Sequence, residues 1–341
     1  MRAITYDRTG DSSVLALTER EKAEPQSGEI RVRVVVSGVN PTDWKSRAGA
    51  GAGRGDFDEP KVPNQDGAGV VDAVGEGVTQ FSVGDRVWLW DVAFGTNIGT
   101  AQDFVTLPAS HAVELPENAT FDDGASLGIP ALTAALALAA NENLPRRLSP
   151  GSLEGRVILV SGGAGAVGHA AIQLATWAGA LVITTISSDE KAELARRAGA
   201  EHIIDYTTDD VAAAVKKLAP KGVDTIVEVN LQANAELDEK IISRGGTIVS
   251  YASDADDRVS LPIGPAMGRN VRLRFLLTYT VSDDEKQDAL GSVSEALAAG
   301  VLGAGEEAGL PITRFSLEET AAAHDAVESG VVGKVLIDVA E

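Results

Sequence analysis

The chain has no cysteine. That excludes disulfides and every thiolate metal site. Histidine is also scarce: His111, His169, His202 and His324 are scattered and make no H-x-x-x-H spacing, so a histidine-rich metal site has no ligands. Basic residues are outnumbered, 29 Lys and Arg against 50 Asp and Glu, which leaves a formal net charge of −21. A surface of that sign repels a nucleic-acid backbone, and no nucleic-acid partner is expected. The acids are dispersed, not gathered in a tail, as suits a folded soluble protein. No apolar run is long enough to span a bilayer. Met1-Arg-Ala-Ile-Thr-Tyr-Asp7 reads as a first strand and has no signal-peptide character. The expectation is a cytoplasmic protein with no membrane partner. Its 341 residues allow two domains and a substantial core.

What is present centres on residues 156–191. Arg156-Val-Ile-Leu-Val-Ser161 is an apolar, β-branched run, followed by Gly162-Gly-Ala-Gly-Ala-Val-Gly168. Apolar residues then recur at Val167, Ala171, Leu174, Ala175 and Ala178 with helical spacing, and Gly179 stands where a C-terminal cap belongs. Leu181-Val-Ile-Thr-Thr-Ile186 is a second apolar run. This is one βαβ unit. Gly163, Gly165 and Gly168 supply G-x-G-x-x-G in the position where it has a mechanism. The first glycine makes the tight turn, the second lets backbone approach a pyrophosphate, and the third lets helix pack on strand. The free N–H groups of the helix N-terminus then face the anion. The expected ligand is a dinucleotide.

A site for NAD usually carries an acid about 20 residues beyond these glycines, at the end of the second strand. Here the strand ends Ile186-Ser187-Ser188, and Asp189 already belongs to the next helix. Lys191 follows one turn later, then Arg196 and Arg197. Small hydroxyls with a nearby cation suit a 2′-phosphate, so NADPH is the expected cofactor. Ser187 with Glu190 also reads as a capping box.

Residues 1 to about 110 read as short strands and turns, with Ile30–Val36, Gly67–Gly75, Gly84–Trp90 and Ala101–Leu107 as strands. The Gly/Ala-rich stretch from Gly49 to Gly55 reads as a mobile loop near a cleft mouth. Ala125–Asn141 is an alanine-rich helix, broken at Pro130. Four further strands, near 202–205, 223–227, 246–250 and 271–277, alternate with helices at 190–198, 209–218 and 234–242. A helix near 283–299, a strand near 312–315, a helix at 318–328 and a last strand at 333–339 close the chain. The fold class is α/β: a Rossmann doubly wound parallel sheet plus a β-rich domain.

At this point the chain resembles the medium-chain dehydrogenase/reductase superfamily over its full length, and within it the zinc-free quinone oxidoreductases, the group of zeta-crystallin. The matching stretches are Ser37-Gly-Val-Asn-Pro-Thr-Asp-Trp-Lys45, Gln65-Asp-Gly-Ala-Gly-Val-Val-Asp-Ala-Val-Gly75, Phe81-Ser-Val-Gly-Asp-Arg-Val87, Ile129-Pro-Ala-Leu-Thr-Ala134, the glycine turn, and Gly333-Lys-Val-Leu336. The resemblance implies a GroES-like catalytic domain from residues 1–122 and 281–341, with a Rossmann NADP(H)-binding domain inserted over 123–280. Zinc enzymes of the superfamily carry cysteine where Asn40 stands, and Gly-His-Glu where Asn64-Gln65-Asp66 stands. The four-cysteine structural lobe is absent too, so no metal is expected. The Tyr-x-x-x-Lys of short-chain reductases is also missing, since no tyrosine here has lysine four residues on.

A zinc-free cleft with NADPH can reduce acceptors that are already electron-poor: quinones, or α,β-unsaturated carbonyls (enones and alkenals). Hydride addition leaves negative charge on oxygen, so the protein mainly positions the acceptor and stabilises that oxygen. Asn40, with its amide donors, and Lys45 are the candidates. Trp44 would stack on the substrate or fill core. For the cofactor, the resemblance implies contacts from Ala164, Gly165, Ala166 and Val167 to the pyrophosphate. It implies Ser187 and Lys191 at the 2′-phosphate, Tyr206 by the adenine and Thr133 by the nicotinamide. Asn230, Gln232 and Tyr251 follow later strands at the carboxyl edge, where such sheets bind ligands. A cofactor-binding protein with a sensory or structural role is the alternative outside enzymes. Finally, Val271–Thr280 is the last strand of the cofactor domain, long and apolar, and should need cover at the sheet edge. A homodimer or homotetramer is expected, as the resemblance also implies.

Overall fold

The computed structural model describes residues 1–50, 55–254 and 258–340. The expected loop at Gly49–Gly55 therefore lies largely outside the described residues. The chain divides into two compact units, Met1–Ile129 with Pro311–Glu341, and Pro130–Leu310. These divisions fall later than the expected 122/123 and 280/281. The helix Asp283–Ala298 goes with the second unit because its buried Ser292 Oγ accepts from Leu148 N at 2.9 Å and its first turn pairs Glu285 with Arg274.

The first unit begins with β1 (Arg2–Arg8), β2 (Ala16–Glu19), β3 (Glu29–Val39), α1 (Pro41–Arg47), β4 (Asp56–Lys61), β5 (Asp66–Val74), β6 (Arg86–Leu89), β7 (Phe104–Pro108) and β8 (Ala112–Glu114). β3 is the spine of the larger sheet: it pairs antiparallel with β5 and β7, and its bulges against β5 fall at Arg31/Val32 and Val34/Val36. Ile30, Val32 and Val34 are wholly buried and anchor one apolar core with Val87, Leu89 and Val105. β1 pairs antiparallel with both β2 and β4, and the three form a separate sheet.

α2 (Phe121–Leu138) is one helix that contains Pro130, where a break was expected. Then come β9 (Val157–Ser161), α3 (Ala166–Trp177), β10 (Leu181–Ile186), α4 (Asp189–Arg197), β11 (His202–Asp205), α5 (Val211–Leu218), β12 (Val223–Glu228), α6 (Leu231–Ile241), β13 (Ile242–Ser250), α7 (Ile263–Gly268), β14 (Arg272–Phe275) and α8 (Asp283–Ala298). The six strands form one parallel sheet in the order β11-β10-β9-β12-β13-β14. Side-chain caps start the helices: Ser188 for α4, Asp210 for α5, Asn230 for α6 and Ser282 for α8. β14 ends the sheet as expected but is shorter than the apolar run, because Thr278–Thr280 turns into a short 3₁₀ segment. The chain then returns to the first unit with β15 (Ile312–Ser316), α9 (Thr320–Glu328) and β16 (Lys334–Asp338), and β16 pairs antiparallel with β3. Among the described residues no helix is long and apolar enough to cross a membrane.

Candidate functional site

In the second unit the chain order reverses between β9 and β12, and a parallel sheet opens a crevice at the carboxyl ends of strands on either side of such a point. The glycine turn stands there. The residue in the left-handed region is Gly162, at φ +71°, and not Gly163 as expected. Gly163 is required for another reason: a Cβ there would lie 2.2 Å from Thr184 Oγ1 and 2.8 Å from Ile172 Cδ1. Thr184 Oγ1 is itself committed to Val160 O at 2.7 Å, so it cannot swing away freely. Gly168 holds the helix against the turn, since its Cβ would meet Gly162 O at 2.4 Å. A Cβ on Gly165 would meet only Gly162 O, at 3.5 Å. Gly165 caps α3, so the N–H groups of the first turn, from Ala166 and Val167 onward, have no partner within the helix and suit an anion. Ala164, within the turn, is buried.

The other expected cofactor residues follow the neighbouring strands at the same edge. Ser187 comes after β10, and its Oγ accepts from Lys191 Nζ at 2.9 Å. The capping serine is Ser188, whose Oγ accepts from Lys191 N, which leaves Ser187 outside the cap and corrects the expected box. Arg196 and Arg197 both pair with Glu193, so Lys191 is the cation of this group that stands beside the strand end. Tyr206 follows β11, is 55% exposed, and lines a cavity of about 210 Å³ with Gly162, Thr185, Val229 and Asn230. Gln232 and Tyr251 line a different cavity of about 640 Å³, together with Phe275 and Leu277. Thr133 is buried and its Oγ1 lies 2.6 Å from Thr278 Oγ1.

Two groups at this edge were not foreseen. Glu228 ends β12, fully buried, with Oε1 accepting from Asn230 N and from Asn234 Nδ2 and Oε2 without a partner. Asp238, on α6, is also fully buried and neither of its oxygens has a partner. Burial pushes both carboxyls up, and Glu228 adds to the rise of Asp238, to about 8. Burial, then Glu228, also raises the Tyr251 phenol. The only signal in the sequence is a pair of acids inside an otherwise apolar strand end and helix face, which any solvated surface also carries.

In the first unit Asn40 precedes α1 and is 3% exposed. Its Nδ2 donates to Asp66 Oδ2 at 2.6 Å, and its Oδ1 accepts from Lys334 Nζ at 2.6 Å. Lys334 Nζ also lies 3.7 Å from Asp66 Oδ2. Asp66 accepts from Ile129 N at 2.9 Å, and only glycine fits at position 128, where a Cβ would lie 2.0 Å from Asp66 Oδ1. Asp43 takes the backbone N–H groups of Asn40 and Gln65. Burial, then Asp66, raises the Asp43 carboxyl to about 8, whereas burial lowers Lys334. Lys45 lies one turn along α1, half-buried, with Nζ 5.7 Å from the Trp44 ring centroid. Asn40 thus immediately precedes the short helix that carries Lys45.

The positions where superfamily zinc ligands stand do not offer a zinc donor set. Asn40 Oδ1 is taken by Lys334 Nζ, Gln65 Oε1 accepts from Ala93 N and Phe94 N, and Asp66 accepts from Asn40 Nδ2 and Ile129 N.

Residues 26–117 match the alcohol dehydrogenase GroES-like domain family and residues 166–295 the zinc-binding dehydrogenase family. The quinone oxidoreductase of Rattus norvegicus is 31% identical over 347 residues, covering 99% of this chain and 97% of that protein. Among solved structures, the quinone oxidoreductase of Pseudomonas syringae pv. Tomato DC3000 is 27% identical with a TM-score of 0.80, over 99% of both chains. A mycobacterial protein solved with NADPH is 26% identical with a TM-score of 0.81, again over 99% of both.

Proposed function

This chain belongs to the quinone oxidoreductase family of the medium-chain dehydrogenases/reductases, and from that premise we propose that it is an NADPH-dependent, zinc-independent quinone reductase. The observation that carries the reading is the end of β10. An anion-receiving turn opens α3, and the neighbouring strand ends in a hydroxyl held by Lys191, not in a carboxylate. A 2′-phosphate gains a cation there, whereas a ribose 2′-hydroxyl loses its usual acceptor.

When bound, the dihydronicotinamide supplies hydride. The residues of this chain then have two tasks: holding the acceptor and stabilising the negative charge that develops on its oxygen. Lys45 is the proposed donor to that oxygen. Asn40, whose oxygen and one amide hydrogen are engaged by Lys334 and Asp66, holds the start of the short helix that carries Lys45. Thr133, Gln232 and Tyr251 are proposed toward the nicotinamide end, Tyr206 and Asn230 toward the adenosine end. Asn40 Oδ1 is taken by Lys334 and the Asp66 oxygens by Asn40 Nδ2 and Ile129 N, which supports zinc-independent chemistry.

We also propose a homodimer or homotetramer. The edge of β14 and the adjoining α7 expose Phe275 (72%), Ile263 (76%) and Met267 (73%). Arg272 and Arg274 pair with Glu142 and Glu285, so their charges do not guard the edge.

Steady-state NADPH oxidation against a panel of quinones and a panel of enones tests the reading. Turnover of quinones is expected. Turnover of enones alone would move the assignment to double-bond reduction, and no turnover of either would leave a cofactor-binding protein without this chemistry.

A further inference from the structure

The sheet of the second unit has a second built feature at its other edge. A groove of about 570 Å³ lies where β12 and β13 begin, between the ends of α5 and α6. The glycine turn follows the carboxyl end of β9 in the same parallel sheet, so groove and turn are on opposite edges. Five cations line the groove: Lys216, Lys221, Lys240, Arg244 and Arg269. Arg269 pairs with Glu239 and donates to Ile242 O at 3.3 Å. The other four make no hydrogen bond or ion pair among the described residues.

That is unusual in a chain with a net charge of −21. The ends of α5 and α6 attract cations, but each helix end is worth only roughly half a negative charge. Two carboxylates are also near: Asp210, which caps α5, and Glu239. Five cations set against these leave a surplus of about two positive charges. The acids elsewhere on the surface are screened beyond about 8 Å at physiological salt, so the local surplus decides what binds. The floor is apolar, from Ala212, Val215, Ala219, Ile241 and Ile242. Gly222 lines it at φ +87°, where a Cβ would lie 2.6 Å from Ile241 O.

We propose that this groove binds an amphiphilic phosphate, with the phosphoryl group among Lys221, Lys240 and Arg244 and an apolar body on the alanine-rich floor. Phosphate suits compact ammonium groups with free hydrogens, and the groove has the size of a small-molecule site. The inference does not depend on the redox reading.

Isothermal titration with octyl phosphate, in excess NADP⁺ so that any cofactor site is occupied, tests it. One equivalent should bind, and binding should weaken at least about tenfold in Lys221→Glu/Arg244→Glu and as salt rises from about 0.05 M to about 0.5 M. Both residues are exposed and unpartnered, so the variant should keep its circular dichroism spectrum. Equal affinity in the wild type and the variant would overturn the proposal, as would inorganic phosphate binding as tightly as octyl phosphate. Sedimentation with phosphatidate-containing vesicles separates the two sources of the ligand. Sedimentation lost in the variant assigns a lipid headgroup; octyl phosphate binding without sedimentation assigns a soluble phosphate. Binding to neither probe refutes the site.

Discussion

Asp238 offers the sharpest test of the electrostatics. Its carboxyl is buried beside Glu228, has no hydrogen-bond partner, and is pushed up to about 8. In the unfolded chain it titrates near the ordinary value of about 3.9. Between those two values the folded protein keeps a proton that the unfolded chain has released. The unfolded state therefore binds fewer protons, and stability falls as pH rises. One such group changes stability by on the order of 1 kcal/mol per pH unit, or about 3 kcal/mol between about pH 5 and pH 8. Asp238→Asn keeps the shape and removes the titration. At pH 5 the wild-type acid is already neutral, so the variant should be equal to it or worse by about 1 kcal/mol, the cost of an unpaired amide. At pH 8 the variant should be the more stable by about 2 kcal/mol, because the wild type there bears a half-ionised, unpartnered carboxyl beside Glu228. Urea unfolding at pH 5, 6, 7 and 8, followed by circular dichroism, gives the two curves. Asp43, also raised to about 8, tilts both equally and cancels in the difference. Curves that run parallel from pH 5 to pH 8 would refute the reasoning.

Four further outcomes are expected. Lys191→Ala should weaken NADPH binding by about 1.5–3 kcal/mol and leave NADH nearly unchanged; equal affinity of the wild type for both cofactors would contradict the assignment. Gly163→Ala should cost roughly 1–3 kcal/mol through the clash with Thr184 Oγ1, and Thr184→Ala should recover part of it, so strict additivity in a double-mutant cycle would count against that contact. Dialysis against EDTA should leave turnover intact, and activity restored only by added zinc would reverse the metal reading. Leu273→Pro removes an N–H from the edge strand and should convert the assembly to monomer by light scattering; a wild type that is already monomeric at micromolar concentration would rule out the edge pairing.

The cofactor unit was legible because its signals are local. Strand, glycine turn, helix and strand follow one another within residues 156–186, and each is specified by spacing that a helix or strand imposes on near neighbours. The succession of β9 to β14 could be read for the same reason, and so could the carboxyl edge on which Ser187, Tyr206, Asn230 and Tyr251 stand. Misreadings arose where the folded backbone decides. Gly163 was read as the turn-maker, but its requirement comes from Thr184 on the next strand. Two serines compete to cap α4, and only the folded backbone selects Ser188. The last apolar run was read as a full-length strand, but its end turns into 3₁₀.

Composition and local spacing were enough to determine the fold class, the absence of thiolate ligands and a hydroxyl-plus-lysine end to β10, because none of these needs a partner from elsewhere in the chain. The fate of Asn40 was decided only in three dimensions. Its amide meets Asp66, 26 residues away, and Lys334, 294 residues away. The same holds for Glu228 and Asp238, whose charge states depend on burial. It holds also for the basic groove, assembled from α5, the end of α6, the start of β13 and Arg269. Desolvation and Coulomb interaction act through space, and no periodicity in the chain records which side chains the fold will shut away together.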